Sequence, residues 1–95
     1  MKLPESFASD INKAIVILKE IGFEELYLFG SLAKNTYNDD SDIDLAVKGL
    51  PDNKFFYALG KLYIELDHNI DLINLDKPSD FNHLIINNKE LLQIV

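Results

Sequence analysis

Residues 29–45 read FGSLAKNTYNDDSDIDL, and this stretch holds the most informative pattern of the chain. A Gly30-Ser31 pair closes an apolar run, and Asp42, eleven residues after Ser31, opens the next one together with Asp44. A tight turn of this kind can present backbone N–H groups and a hydroxyl to phosphate groups. Paired carboxylates can hold a divalent metal ion. The stretch therefore contains both the phosphate-binding groups and the metal-binding carboxylates that phosphoryl or nucleotidyl transfer requires.

Length and composition predict one globular domain that spans residues 1–95. Of the 95 residues, 47% are hydrophobic and 26% are charged, which is an ordinary balance for a folded domain. No apolar stretch approaches the roughly 20 residues that a membrane span needs. Polar residues at Glu5, Asp10 and Asn12 interrupt the N-terminal apolar positions, unlike a secretory signal. The chain has no cysteine, so we expect neither disulfides nor thiolate metal ligands. A cytoplasmic location is the default expectation.

The net charge of −7 limits the classes of ligand. Proteins that grip a nucleic-acid backbone usually carry a basic face, whereas the nine Lys and Arg residues here are spread along the chain. Long DNA or RNA is therefore not expected as the main ligand. A free nucleotide stays compatible with the charge, because metal ions can bridge two sets of negative groups. A basic protein partner would also suit it.

Hydrophobic spacing and turn residues predict an α+β chain. The predicted elements are a helix over 4–21, a strand over 25–29, a short helical turn over 31–34, a strand over 43–47, a helix over 52–67, a strand over 69–75, a helix from Pro78 and a short apolar C-terminal segment over 91–95. Their order is αβ(α)βαβα, and this order predicts helices packed over a small sheet.

Side-chain alternation groups three aspartates. The apolar residues of the 43–47 strand share one face, so Asp42 and Asp44 share the other. Asp71 takes the corresponding face of the third strand. The 52–67 helix is long enough to be the crossover between parallel neighbours, while the Gly-Ser turn can face Asp42 and Asp44 only if the first two strands are antiparallel. A mixed sheet is therefore expected, with Asp67 as the rival candidate for the third carboxylate.

An EF-hand calcium loop is the nearest competing metal site, because Asp40, Asp42 and Asp44 alternate like the start of such a loop. The EF-hand needs Gly at its sixth position and Glu at its twelfth. Those positions, counted from Asp40, hold Leu45 and Pro51. The calcium loop is therefore excluded.

Ser31 is predicted to bind phosphate. The chain has neither a Walker G-x-x-x-x-G-K-[ST] loop nor a G-x-S-x-G nucleophile elbow. Ser31 then has the role of a hydrogen-bonding group at the start of the short helical turn, and Lys34, one turn on, can add a positive charge. His68 and His83 lack a metal-ligand spacing, and surface or capping positions are expected for both.

The combination of Gly30-Ser31, Asp42-x-Asp44 and Asp71 resembles the nucleotidyltransferase superfamily that includes DNA polymerase β, and in its short length the chain resembles the minimal nucleotidyltransferase (MNT) domains. The resemblance covers nearly the whole chain. It implies the nucleotidyltransferase fold, with a small mixed sheet of three to four strands flanked by helices.

The resemblance also implies roles for the site residues. Gly30 and Ser31, with Lys34, would bind the triphosphate of ATP. Asp42 and Asp44 would hold two Mg²⁺ ions, and Asp71 would help to hold one of them and activate the attacking hydroxyl. The reaction would be in-line attack on the α-phosphate with pyrophosphate as the leaving group.

One departure from the family pattern concerns the end of the turn. Relatives often continue with Ala-Arg-Gly, whereas this chain reads Ala33-Lys34-Asn35. Asn tolerates the left-handed backbone better than most residues, so the turn can survive. Lys keeps the positive charge but lacks the bidentate contacts that Arg makes with phosphate.

The resemblance finally implies a partner. MNT proteins of this size are commonly paired with a helical HEPN toxin, in a hetero-oligomer where the MNT member is the antitoxin. The leading hypothesis is transfer of AMP to a hydroxyl on such a toxin. The alternatives are an antitoxin that neutralises its partner by binding alone and, ranked lower, an enzyme that modifies a small molecule such as an antibiotic.

Overall fold

The computed structural model describes residues 3–95 of the chain. Its elements, in chain order, are α1 (Glu5–Ile21), β1 (Glu25–Phe29), α2 (Gly30–Lys34), β2 (Ile43–Lys48), a 3₁₀ turn (Asp52–Lys54), α3 (Phe55–Glu65), β3 (Ile70–Asn74), α4 (Asp80–Asn87) and β4 (Leu92–Gln93). The predicted order is confirmed, and the C-terminal apolar segment supplies a short fourth strand.

The four strands form a mixed sheet in the order β3-β2-β1-β4. Strand β1 is antiparallel to β2 and to β4, whereas β2 and β3 are parallel. The antiparallel pairing follows from the short α2 and loop connection, and the parallel pairing requires the longer crossover that α3 provides. The predicted small mixed sheet flanked by helices is confirmed.

One face of the sheet carries the hydrophobic core. Alternate residues of the three longer strands lie there against α1 and α3, and the largest fully buried side chains include Phe7, Leu18, Leu45 and Leu62. The opposite face carries Phe29 and Asp44, and α4 approaches this face through the contact between the rings of Phe29 and Phe81, whose centroids are 6.0 Å apart. The strand alternation therefore separates a packed face from a face that bears acids.

The helix predicted over 52–67 is shorter than the apolar spacing indicated. It begins with the 3₁₀ turn, and its α-helical part ends at Glu65. Leu66 is already extended, with φ −96° and ψ 149°, and the next two backbone amides, of Asp67 and His68, donate hydrogen bonds to the Asp10 carboxylate.

Within residues 3–95, no helix has the length and apolar character needed to cross a membrane.

Candidate functional site

The Gly30 turn lies directly against Asp44. Phe29 is paired with Asp44 across the antiparallel strands, and the next residue, Gly30, turns the chain into α2 with φ +71°. A β-carbon at Gly30 would lie 3.1 Å from Cγ of Asp44 and would collide with its Oδ2. Glycine is therefore required here both for the left-handed backbone and for the close approach.

The sheet register brings two of the predicted acids side by side. Asp44 on β2 is the register partner of Asp71 on β3, so both side chains project from the same face of neighbouring strands. Asp42 immediately precedes β2 and is exposed, as is Asp71, whereas Asp44 is half-buried. The rival acid, Asp67, precedes β3 and is not part of this pair of strand residues. Its backbone amide donates a hydrogen bond to the Asp10 carboxylate.

Asp44 is electrostatically the most perturbed group of this cluster. Burial, then the charge of Asp71 and then that of Asp42 raise the pKa of Asp44 to about 6. Like charges act in this way only when they are near one another. The three carboxylates therefore form one interacting group, with Gly30 on its β1 side.

The donor set suits a hard divalent cation. Three carboxylates supply only oxygen ligands, as Mg²⁺ prefers, and a cation would offset the repulsion that raises the pKa of Asp44. Within residues 3–95, however, no three His, Asp or Glu side chains converge closely enough to ligate one ion. The two findings differ because ligation requires side chains to meet at one point, whereas charge repulsion extends over several ångströms.

Ser31 and Lys34 lie on the short α2. Ser31 is half-buried in its first turn, and Lys34 is its last residue. Asn35 follows with φ 61° and ψ 34°, in the left-handed conformation, and its amide donates to the carbonyl of Ser31. Asn35 thus replaces the glycine of the family pattern as predicted. The Nζ of Lys34 contacts Glu90, at 2.7 Å from its Oε1, and Glu90 was not singled out from the sequence.

A second buried polar cluster was also missed by the sequence reasoning. Asp10 is 1% exposed, and its Oδ2 accepts hydrogen bonds from the amides of Asp67 and His68 and lies 2.7 Å from Nδ1 of His68. The ring of His68 stacks on Phe7 with centroids 4.1 Å apart. The sequence did contain a signal that Asp10 is buried, because Asp10 lies three residues after Phe7 and therefore on the buried side of α1. His68 is therefore a packed residue, while His83 lies exposed on α4.

The family model of polymerase beta nucleotidyltransferases matches the chain over residues 9–94. Among curated proteins, none matches it in sequence. The match includes every residue of the candidate site.

Several solved structures share the fold. A chain of a toxin–antitoxin complex crystallised with AMP-PNP is 30% identical, with a TM-score of 0.70 over 86% of this chain and 69% of that one. A chain from the complex of tri-AMPylated HEPN toxin of Shewanella oneidensis with MNT antitoxin is 26% identical, with a TM-score of 0.66 over 90% of this chain and 69% of that one.

A candidate minimal nucleotidyltransferase has a TM-score of 0.71 at 18% identity, over 95% of this chain and 94% of that one. At this identity the likeness concerns the fold alone.

Proposed function

Since this chain belongs to the polymerase β nucleotidyltransferase family, we propose that it transfers AMP from ATP to a hydroxyl group of a HEPN-type toxin and so acts as an antitoxin. The observation that carries the proposal is the juxtaposition of the Gly30 turn with Asp44 and its register partner Asp71. A glycine-serine turn, of a kind that can donate N–H groups to phosphate, thus lies beside interacting carboxylates, and this supports the proposal. The likeness to chains from toxin–antitoxin complexes supports the choice of acceptor.

In this proposal, one set of residues binds the triphosphate and another accepts the proton. The Gly30-Ser31 turn donates backbone N–H groups and the Ser31 hydroxyl to the triphosphate. Asp71 accepts the proton of the attacking hydroxyl, whose oxygen forms a bond to the α-phosphorus of ATP. The bond from that phosphorus to the bridging oxygen breaks, and pyrophosphate leaves. Because the attacking oxygen comes from the acceptor, no side chain of this protein has to act as the nucleophile.

Asp42, Asp44 and Asp71 would hold Mg²⁺. When bound, Mg²⁺ would neutralise charge on the triphosphate and on the leaving pyrophosphate. The burial of Asp44 beside two further carboxylates supports this role, because an uncompensated group of acids in a half-buried position is costly.

An exposed apolar stripe on α3 supports a protein partner. Phe56 and Ile64 are 81% and 82% exposed, and with Tyr63 they lie on one side of the helix at positions i, i+7 and i+8. We call these three residues the α3 outer stripe. Large exposed apolar groups that cluster in this way are typical of protein interfaces. The stripe also keeps the alternative open in which binding alone neutralises the partner.

The test is transfer of label from α-³²P-ATP to the co-purified HEPN-type partner in the presence of Mg²⁺. The expected result is labelled partner with the unaltered chain and a loss of labelling of at least about a hundredfold with Asp44→Asn, the order of effect seen when one transition-state stabilising group is removed. Asp39→Asn is the matched control, since Asp39 is an exposed loop residue and the substitution makes the same charge change. Mass spectrometry of the partner identifies the added nucleotide.

Two outcomes would contradict the proposal. If Asp44→Asn labels the partner as well as Asp39→Asn does, the carboxylate cluster is not the reaction centre. If the unaltered chain binds its partner and neutralises it without labelling, the antitoxin acts by binding alone.

A further inference from the structure

Lys34 and Glu90 form an ion pair beside the phosphate-binding turn. The Nζ of Lys34 lies 2.7 Å from Oε1 of Glu90, and the two side chains are 55% and 24% exposed. Water reaches both groups, so a competing anion can also approach Lys34. The hydrogen bond from Lys34 lowers the pKa of Glu90, and the carboxylate is therefore ionised at neutral pH.

The backbone holds Lys34 in place. Lys34 is the last residue of α2, and the left-handed Asn35 closes the helix by donating its amide to Ser31. Ser31 and Lys34 are three residues apart, and this spacing makes their side chains neighbours on a helix. Lys34 and Ser31 therefore lie on the same side of α2.

The backbone also holds Glu90 in place. Lys89 has φ 54°, and the amides of Lys89 and Glu90 donate to the carbonyls of Ile86 and Ile85 respectively. These two bonds form a Schellman motif, which ends α4 in a defined geometry. The position of Glu90 follows from the end of a helix rather than from a free loop.

The pairing of β4 with β1 puts Glu90 at the same end of the sheet as the Gly30 turn. Strand β4 pairs antiparallel with β1, with Leu92 opposite Leu28. Gly30 follows Leu28 by two residues and Glu90 precedes Leu92 by two, so the antiparallel pairing brings both to the same end of the β1–β4 pair. Because β2 with Asp44 pairs with the other edge of β1, Glu90 flanks the turn on the side away from the carboxylate cluster.

We propose that Glu90 competes with the nucleotide triphosphate for Lys34 and thereby weakens nucleotide binding by this chain. The inference rests on the proposed function, since it requires a triphosphate at the Gly30-Ser31 turn. When phosphate takes the Lys34 ammonium, Glu90 loses its partner and stays as a negative charge beside an anion. Glu90 is therefore a positioning residue that acts through Lys34 and sets nucleotide affinity.

The test measures the Kd for ATP with Mg²⁺ by isothermal titration calorimetry, without any acceptor. Glu90→Gln is expected to bind about two- to fivefold more tightly than the unaltered chain, the range expected for an exposed ion pair. Glu20→Gln is the matched control, because it removes the same charge from an exposed position on α1, which packs on the other face of the sheet. A merely structural role of Glu90 would not tighten binding.

A double-mutant cycle tests whether the effect passes through Lys34. Lys34→Met is expected to weaken ATP binding, and Glu90→Gln is expected to change the Kd less in the Lys34→Met background than in the unaltered chain. Equal changes in both backgrounds would overturn the inference, as would weaker or unchanged binding by Glu90→Gln alone. If the unaltered chain binds no ATP with Mg²⁺, the proposed function itself fails, so the two failures are distinguishable.

Discussion

At Gly30 the backbone combines a left-handed φ of +71° with close contact to Asp44. Gly30→Ala is expected to lose about 1–2 kcal/mol of unfolding free energy from the backbone conformation alone, and more from the collision with the carboxylate. The displaced Asp44 is also expected to weaken binding of ATP with Mg²⁺. Urea denaturation measures the first effect, and calorimetric titration measures the second.

Gly22→Ala separates the two causes. Gly22 also has a positive φ, +106°, but a β-carbon there would meet no heavy atom within 4 Å. This control is expected to lose stability without a change in nucleotide affinity. Equal nucleotide affinity in both variants would show that the contact between Gly30 and Asp44 has no role in binding.

Asp10 is a buried acid with an unusual balance of interactions. Burial on its own would raise its pKa, but the hydrogen bonds from the His68 ring and from the amides of His68 and Asp67 outweigh it, so the pKa of Asp10 lies below its ordinary value. The other oxygen, Oδ1, is buried without a hydrogen-bond partner. The stability that Asp10 supplies therefore depends on one charged oxygen.

The pKa of Asp10 predicts acid sensitivity. A carboxylate whose pKa is lowered on folding stabilises the protein above the pKa of the unfolded chain, about 3.9, and this contribution is lost as pH falls through the folded value. Asp10→Asn is expected to be less stable at pH 7, by roughly 1–3 kcal/mol, and to lose less stability than the unaltered chain between about pH 5 and pH 3. Urea denaturation at several pH values measures both. Parallel pH profiles for the two proteins would contradict the prediction.

At the scale of elements, α3 has two different faces. Ala58 and Leu62 are buried against the core, whereas the α3 outer stripe is exposed. Exposure of a stripe on the outer side of a surface helix is not needed for folding of this domain. The α3 residues that pack in the core are therefore distinct from those of the outer stripe, so the stripe can be changed without disturbing the core.

The double variant Phe56→Glu with Ile64→Glu is expected to lose partner affinity by about thirtyfold or more, the size typical of interface hot spots. Its unfolding free energy is expected to stay within about 0.5 kcal/mol of the unaltered chain, since both side chains are exposed. Calorimetric titration with the HEPN-type partner and urea denaturation check the two expectations.

Ile86→Glu is the control for this variant, because Ile86 is a half-exposed apolar residue on α4, at the other face of the sheet. It is expected to keep the partner affinity. If the α3 variant binds as well as this control, the partner docks elsewhere.

At the scale of the whole molecule, negative charge predominates. The chain has 16 acidic and nine basic residues, and the Lys–carboxylate ion pairs among residues 3–95 are Lys34–Glu90 and Lys77–Asp52. Repulsion between acids is therefore only partly offset by attraction, and it disfavours the compact state.

Salt is accordingly expected to stabilise the protein. An increase of NaCl from about 20 to about 300 mM shortens the range of charge interactions to less than about 10 Å, so the unfolding free energy measured with urea should rise. KCl should give the same result if screening is the cause. A decrease with either salt would show that attractive pairs outweigh repulsion.

The sequence by itself determined the order of elements and the face on which the acids lie. Both follow from local rules: apolar spacing marks the helices and strands, and alternation along 43–47 places Asp42 and Asp44 opposite the core residues. The Gly30 turn and the left-handed Asn35 were predictable for the same reason, because each depends on the conformational preference of one residue type.

Only the tertiary structure decided which distant residues meet. The pairing of Asp44 with Asp71, the ion pair of Lys34 with Glu90 and the burial of Asp10 against His68 each join residues more than twenty positions apart. Such contacts depend on strand order, register and helix ends, and these are set by packing of the whole chain rather than by local preference. The acids of residues 29–45 and their candidate partner Asp71 could therefore be identified in the sequence, whereas the fold decided the register that pairs Asp44 with Asp71 and the acid that pairs with Lys34.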